Sequence, residues 1–253
     1  MNGGGLKILL VNPNISQSVT DLIREEAMRV ALPDTEITTA TADFGVAYIE
    51  TPAEAAVGGY AALKMLAEHH PGHQAAVVAA FGDPGVEAAK EILPIPVIGL
   101  TEAALSAALL LGGRFAIVGI SARIGAWYRQ TVERLGLGSR FVGYRGLRGS
   151  FADVGSVQRD EKQLLLELCI ACVEQDGADA VVLAGAPLAG LARQITDRVP
   201  VPLIDGVGSA VRMAEALGRS GFAPRRSGAL APPPAKGHAG LPEPLAALIG
   251  RTR

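Results

Sequence analysis

The 253-residue sequence predicts an α/β protein with two pseudo-symmetric parallel-sheet α/β domains and a cleft between them. Three observations predict it. Short β-rich runs alternate with longer helical ones, the pattern of strand–helix–strand units. The strands are continuous apolar runs, AAVVAA and DAVVLA, as expected of a parallel sheet covered on both faces. Finally, two pairs of segments echo each other a little over 100 residues apart: HQAAVVAAFGDPG with GADAVVLAGAPLAG, and LLVNPNISQS with AIVGISARIG. Each echo is a strand, a small-residue turn and a helix start.

In chain order, the first half offers strands at 6–11, 36–40, 75–80 and 97–99. Helices at 16–31, 52–70, 85–93 and 102–111 fall between and after them. The second half repeats the scheme, with strands at 114–120, 140–144, 178–184 and 202–204 and helices at 124–135, 158–175, 188–199 and 207–217. Ser16 is placed to cap the first helix, and Pro84 suits the first position of the third. The stretch 221–240 is rich in Pro, Gly and Arg, so it cannot be regular throughout, while PEPLAALIG after it suits a short docking helix. The expected domains are 1–100 plus 205–253, and 101–204.

Composition narrows the function classes. With 49% hydrophobic and 19% charged residues the chain is an ordinary globular one, and its net charge of −2 speaks against nucleic acid, which needs a basic face. Arg114, Arg123, Arg145 and Arg148 suit a small anionic ligand better than a polyanion. The apolar runs LKILLVN and AALSAALLLGG are too short to span a membrane, so a cytoplasmic location is expected. Cys169 and Cys172 lie one turn apart on an apolar helix, where packing is favoured over a redox or metal role. The histidines His69, His70, His73 and His238 fall in a helix end or the tail, away from the expected cleft, so no metal site is expected.

Ligands in open parallel sheets bind beyond the carboxyl ends of the strands. Four loops meet that description: Asn12, Pro13 and Asn14; Ala80, Phe81, Gly82 and Asp83; Ser121 and Arg123; and Gly185, Ala186 and Pro187. Asn12 and Asn14 can donate amide hydrogens, and helix-start N–H groups favour a carboxylate or imide oxygen. The local alternative is that these Asn side chains satisfy their own turn. Asp83 is favoured as a helix cap over a catalytic carboxylate. Ser121 suits a helix cap, and Arg123 suits either a ligand carboxylate or solvent. Glu50, Glu102 and Asp205 are the remaining acids near strand ends, and the position of Glu102 at a helix start explains it by the helix dipole.

The stretches ILLVNPN, the Glu50 segment, AFGDPG, PVIGLTEAA, VVLAGAPLAGLA, VPLIDGVGSAV and PPPAKGHAGL run in one order across nearly the whole chain. In them the chain resembles the hydantoin and allantoin racemase branch of the aspartate/glutamate/hydantoin racemase superfamily. The resemblance implies two facing α/β domains, no cofactor, a small carbonyl or carboxylate ligand (a hydantoin, ureido acid or amino-acid-like compound) and a homo-oligomer. It also implies two cysteines, one taking a proton α to a carbonyl and the other delivering one to the opposite face. This sequence carries Ala80 and Gly185 at those positions, and Cys169 and Cys172 match neither. An alanine or a glycine cannot move a proton. Three accounts remain open: a knock-out by design, chemistry moved to Asp83, Glu50, Ser121 or a bound water (a decarboxylase or lyase included), and a non-catalytic binding relative.

Overall fold

The computed structural model describes residues 5–149, 153–221, 227–228, 231 and 233–249. Two four-stranded parallel sheets carry the fold, with strand orders β2-β1-β3-β4 and β6-β5-β7-β8. The first is built from β1 (Leu6–Asn12), β2 (Thr35–Thr41), β3 (Ala75–Val78) and β4 (Val97–Gly99). The second comprises β5 (Phe115–Gly119), β6 (Phe141–Gly146), β7 (Ala180–Ala184) and β8 (Leu203–Asp205). Each strand of the second sheet thus occupies the place of its counterpart in the first, and the echoed segments are the central pairs β1/β5 and β3/β7. Their residues are almost entirely buried, as strands covered on both faces must be.

Ten helices among the described residues cover the sheets: α1 (Gln17–Val30), α2 (Pro52–His69), α3 (Val86–Ile92), α4 (Leu100–Leu111), α5 (Gly125–Arg134), α6 (Val157–Asp160), α7 (Lys162–Glu174), α8 (Leu191–Ile195), α9 (Gly206–Arg219) and α10 (Glu243–Ile249). Capping chemistry explains several starts. Thr51 and Glu54 form a reciprocal capping box on α2, and Asp205 accepts the Gly208 N–H at the head of α9. Ser16 stands at the N-cap position of α1, but its side chain makes no capping bond there.

Some expectations needed correction. The helix expected at 158–175 is two, α6 and α7, parted where Glu161 leaves helical geometry (φ −108°, ψ 16°). The one expected at 188–199 is a 3-10 turn, the short α8 and a second 3-10 turn, because Gly190 turns the chain in the left-handed region (φ 80°). Strand β3 stops at Val78, leaving Ala80 in the loop. Part of the Pro/Gly/Arg-rich stretch, 222–226, 229–230 and 232, lies outside the described residues, whereas the docking helix expected after it is α10, packed on α2.

One core cluster runs through both halves, joining Leu10, Ile23 and Phe81 to Phe115, Ile117, Tyr128 and Leu183. Helix α9 packs against β1, β3 and β4 of the first sheet and against α4, burying Val207, Ala210, Val211 and Ala214. Each wholly buried large aliphatic side chain contributes about 1.5–3 kcal/mol by leaving water. Among the described residues, no helix is long and apolar enough to cross a membrane.

Candidate active site

The parallel sheets direct the carboxyl ends of β1, β3, β5 and β7 towards one region, and a small cavity of about 30 Å³ lies there. Asn14, Ala80, Phe81, Gly185, Ala186 and Pro187 line it, joined by Tyr48, Ile49, Ile120, Ile124 and Tyr128. The two positions where the resemblance puts a thiol, Ala80 and Gly185, therefore share one cavity. Its volume holds about one or two waters. Larger cavities of about 400 and 410 Å³ lie beside α4 and α9, away from the loops after β1, β3, β5 and β7.

The remaining expected residues stand around this cavity without lining it. Asn12 is spent locally: its Nδ2 donates to Asn14 Oδ1 (3.0 Å), Thr20 Oγ1 (2.9 Å) and the Ser16 carbonyl (3.2 Å). Those bonds fix Asn14, whose Oδ1 also accepts the Ser16 N–H at 2.9 Å. The Asn14 Nδ2 donates to no described residue, so one amide donor remains for the cavity. Pro13 lies between the two asparagines in the same buried turn.

Gly82 and Asp83 point elsewhere. Both Asp83 oxygens accept backbone N–H groups at the start of α4, from Thr101 (2.8 Å) and Glu102 (2.9 Å). Asp83 is thus a cap, as expected, but of α4 rather than of the helix beginning near Pro84; α3 starts later, behind a left-handed Gly85 (φ 80°). Burial pushes the Asp83 carboxyl up to about 7 against the pull of those two N–H groups. Ser121 accepts the Arg123 N–H at 3.2 Å and caps the turn Ala122–Ile124, while Arg123 is exposed.

Glu50 follows Ile49 in the segment between β2 and α2. Among the described residues its carboxylate makes no hydrogen bond or ion pair, although its backbone N–H donates to Glu54 Oε2 (2.8 Å). Burial raises the phenol pKa of Tyr48, and Glu50 raises it further. Tyr128 and Tyr144 are likewise held well above the ordinary tyrosine range, first by burial and then in part by Glu50. All three keep their protons near neutral pH.

The aromatic wall was not foreseen. The Tyr128 ring packs against Phe81 (centroids 4.8 Å apart) and edge-on to Tyr144 (5.8 Å), with Trp127 beside it (5.7 Å). Tyr144 donates its hydroxyl proton to the Ser121 carbonyl. The run WYR within a helix carries no motif, so only the packing of α5 on the cavity reveals it. Behind the Pro187 loop, Gln158 Nε2 donates to the carbonyls of Pro187 and Ala189, both at 3.1 Å. Among the described residues, no group of three or more His, Cys, Asp or Glu side chains is placed to hold a metal ion.

Two repeated parallel sheets whose central loops close over a small cavity make this a two-halved α/β protein with a candidate ligand site between its central strands. Residues 8–214 match the sequence model of the family described as Asp/Glu/Hydantoin racemase, and the chain belongs to that family. It is 34% identical over 240 residues to a hydantoin racemase of Rhizobium meliloti, covering 93% of this chain and 98% of that one. With a hydantoin racemase of Paenarthrobacter aurescens it shares 32% identity over 223 residues, 86% of this chain and 93% of that one. The solved allantoin racemase from Klebsiella pneumoniae superposes with a TM-score of 0.90 at 33% identity, covering 95% of this chain and 98% of that one. The resemblance read in the sequence holds, and so does the fold it implied.

Proposed function

We propose that this chain is a cofactor-independent racemase of a small neutral carbonyl compound of the hydantoin type, bound in the cavity between the four loops. The observation that carries this reading is the character of the cavity wall. Among the described residues, no Lys, Arg or His lines it. A buried free carboxylate would need a paired cation, so an uncharged cyclic ureide fits this wall better than an amino-acid carboxylate. The hydantoin and allantoin racemases among its relatives support the same class over a non-catalytic binder or a decarboxylase.

With Ala80 and Gly185 in place of thiols, proton transfer falls to another group. Asp83 and Ser121 are engaged in caps, which leaves Glu50. In this reading the Glu50 carboxylate takes the proton from the carbon α to the carbonyl, and the electron pair moves onto the carbonyl oxygen. Return of the proton from Glu50 to the face it left restores the substrate, whereas the mirror image forms when solvent water delivers a proton to the opposite face and Glu50 gives its own proton up to water. Nothing else is gained or lost. The ligand enters by displacement of the irregular segment 42–51, which carries Tyr48 and Ile49.

The domain division at 1–100 with 205–253, and 101–204, belongs to this proposal and is supported by α10 packing on α2. So do a cytoplasmic location and a homo-oligomer. The latter is supported by Leu110 and Leu111, adjacent on α4 and 84% and 59% exposed.

Proton NMR of single-enantiomer 5-benzylhydantoin in D2O tests the reading. Loss of the α-proton with the natural chain, and at least a hundredfold slower loss with Glu50→Gln, is expected. Exchange that appears only in the Ala80→Cys/Gly185→Cys double variant would overturn it, leaving a racemase cleft without an acid–base pair.

A further inference from the structure

We propose that Tyr128 is the hydrogen-bond donor that the second half of the chain presents to the ligand, its hydroxyl meeting the carbonyl oxygen on which enolate charge develops. This rests on the hydantoin reading above and assigns a residue that the four loops do not contain.

Tyr128 is 3% exposed and lines the cavity. Its hydroxyl lies 4.0 Å from the point where a Cβ on Gly185 would stand, so it reaches the cavity at the wall where the resemblance puts the second thiol. Among the described residues that hydroxyl makes no hydrogen bond, whereas its neighbour Tyr144 is engaged with the Ser121 carbonyl. The Tyr128 hydroxyl is not among the polar atoms sealed from solvent without a partner, so it faces the open space of the cavity, where a ligand oxygen can reach it. The ring cannot easily turn to find another partner, because Phe81, Trp127 and Tyr144 pack around it.

The direction of donation follows from chemistry. Burial keeps the phenol protonated far above neutral pH, so it donates and does not act as a base. A fixed neutral donor in a dry site strengthens as negative charge builds on its acceptor and needs no reorganisation when it does. The Asn14 Nδ2 from the first half is the second free donor on the wall. Gly185 leaves the Tyr128 hydroxyl open to the ligand, with a Cβ there standing no closer to it than 4.0 Å.

The test uses the full chain labelled with ¹³C at tyrosine Cζ and alanine methyl carbons, titrated with 5-benzylhydantoin. Tyr128→Phe assigns the Tyr128 signal and Ala80→Gly the Ala80 methyl. The Tyr128 Cζ signal is expected to shift with the same midpoint as the Ala80 methyl. Tyr128→Phe is expected to fold as stably as the natural chain and to slow α-proton exchange at least tenfold in kcat with a smaller change in KM. An Ala80 shift with an unmoved Tyr128 signal would overturn the donor assignment and leave the hydantoin reading standing, as would full exchange activity in Tyr128→Phe. If neither signal moves, the hydantoin reading falls and the donor assignment falls with it.

Discussion

Asp83 and Thr101 hold each other's loops through two crossed bonds. The Asp83 carboxylate accepts the Thr101 N–H at 2.8 Å, and the Thr101 hydroxyl accepts the N–H of Gly82 at 2.6 Å. The turn after β3 is thereby locked to the first turn of α4, and Ala80 and Phe81 are set against the cavity. Asp83 is the one non-glycine among the described residues with a positive φ, 54°, a geometry that Asp tolerates better than most residues.

This clamp makes an unusual pH dependence. Burial lifts the Asp83 carboxyl from its ordinary 3.8 to about 7, so the folded chain binds that proton more tightly than the unfolded one. The Asp83 contribution is therefore fully present below about pH 4 and is lost as pH rises through about 7. Urea midpoints of the natural chain and of Asp83→Asn, which mimics the protonated acid, give the measurement. The stability difference should move against the natural chain between pH 4.5 and 7.5, by on the order of 3 kcal/mol. A difference that moves the other way would mean that the two N–H bonds outweigh burial.

Gly82 tests the same turn sterically. At φ 97° it sits where a Cβ would meet the Trp127 ring at 2.4 Å. Gly82→Ala is expected to cost about 3 kcal/mol, part backbone strain and part collision. In a Trp127→Leu background the collision is relieved and the cost should fall to about 1 kcal/mol. Denaturant melts of the four chains of this cycle measure the coupling, and equal costs in both backgrounds would contradict it.

The two thiol positions differ in backbone. Gly185 has room for a side chain, since a Cβ would meet only Pro187 Cδ at 3.6 Å and the Tyr128 hydroxyl at 4.0 Å, but its φ is 110°. Gly185→Cys should therefore cost about 1–3 kcal/mol through strain alone. Ala80 has no positive φ, so Ala80→Cys should leave the Tm close to that of the natural chain. Thermal unfolding of the two single variants checks the order, and the reverse order would show that crowding at Ala80 dominates.

Cys169 and Cys172 are both fully buried, and burial pushes each thiol up to about 12. Neither should react with a disulfide reagent at neutral pH in the folded chain, and both should react in guanidinium chloride. Rapid labelling of the folded chain would show that α7 opens locally.

Strand and helix order were legible because apolar runs of β length alternate with amphipathic stretches, and the internal echo pointed to the paired central strands. Boundaries failed where one residue decides, as at Glu161, whose departure from helical dihedrals has no composition signal. Within the site, loop chemistry located Asn14, Ala80 and Gly185. It left open whether Asn12 serves a ligand or its own turn, which is where its side chain is used, and it could not tell that Asp83 caps α4, because Thr101 and Glu102 lie 18 and 19 residues further on. Tyr128 was invisible for a simpler reason: a tyrosine in a helix reads as packing until the cavity it faces is known.

The placing of α9 also orders events during synthesis. The strands β1, β3 and β4 are made first, yet the helix packed on them comes from residues 206–219. Until α9 is made, α1 alone of its neighbours from the first half covers part of that face of the first sheet, and the apolar surface that α9 fills stays open. The half made earliest is therefore completed only by residues 206–219, which follow every strand of the second sheet in the chain.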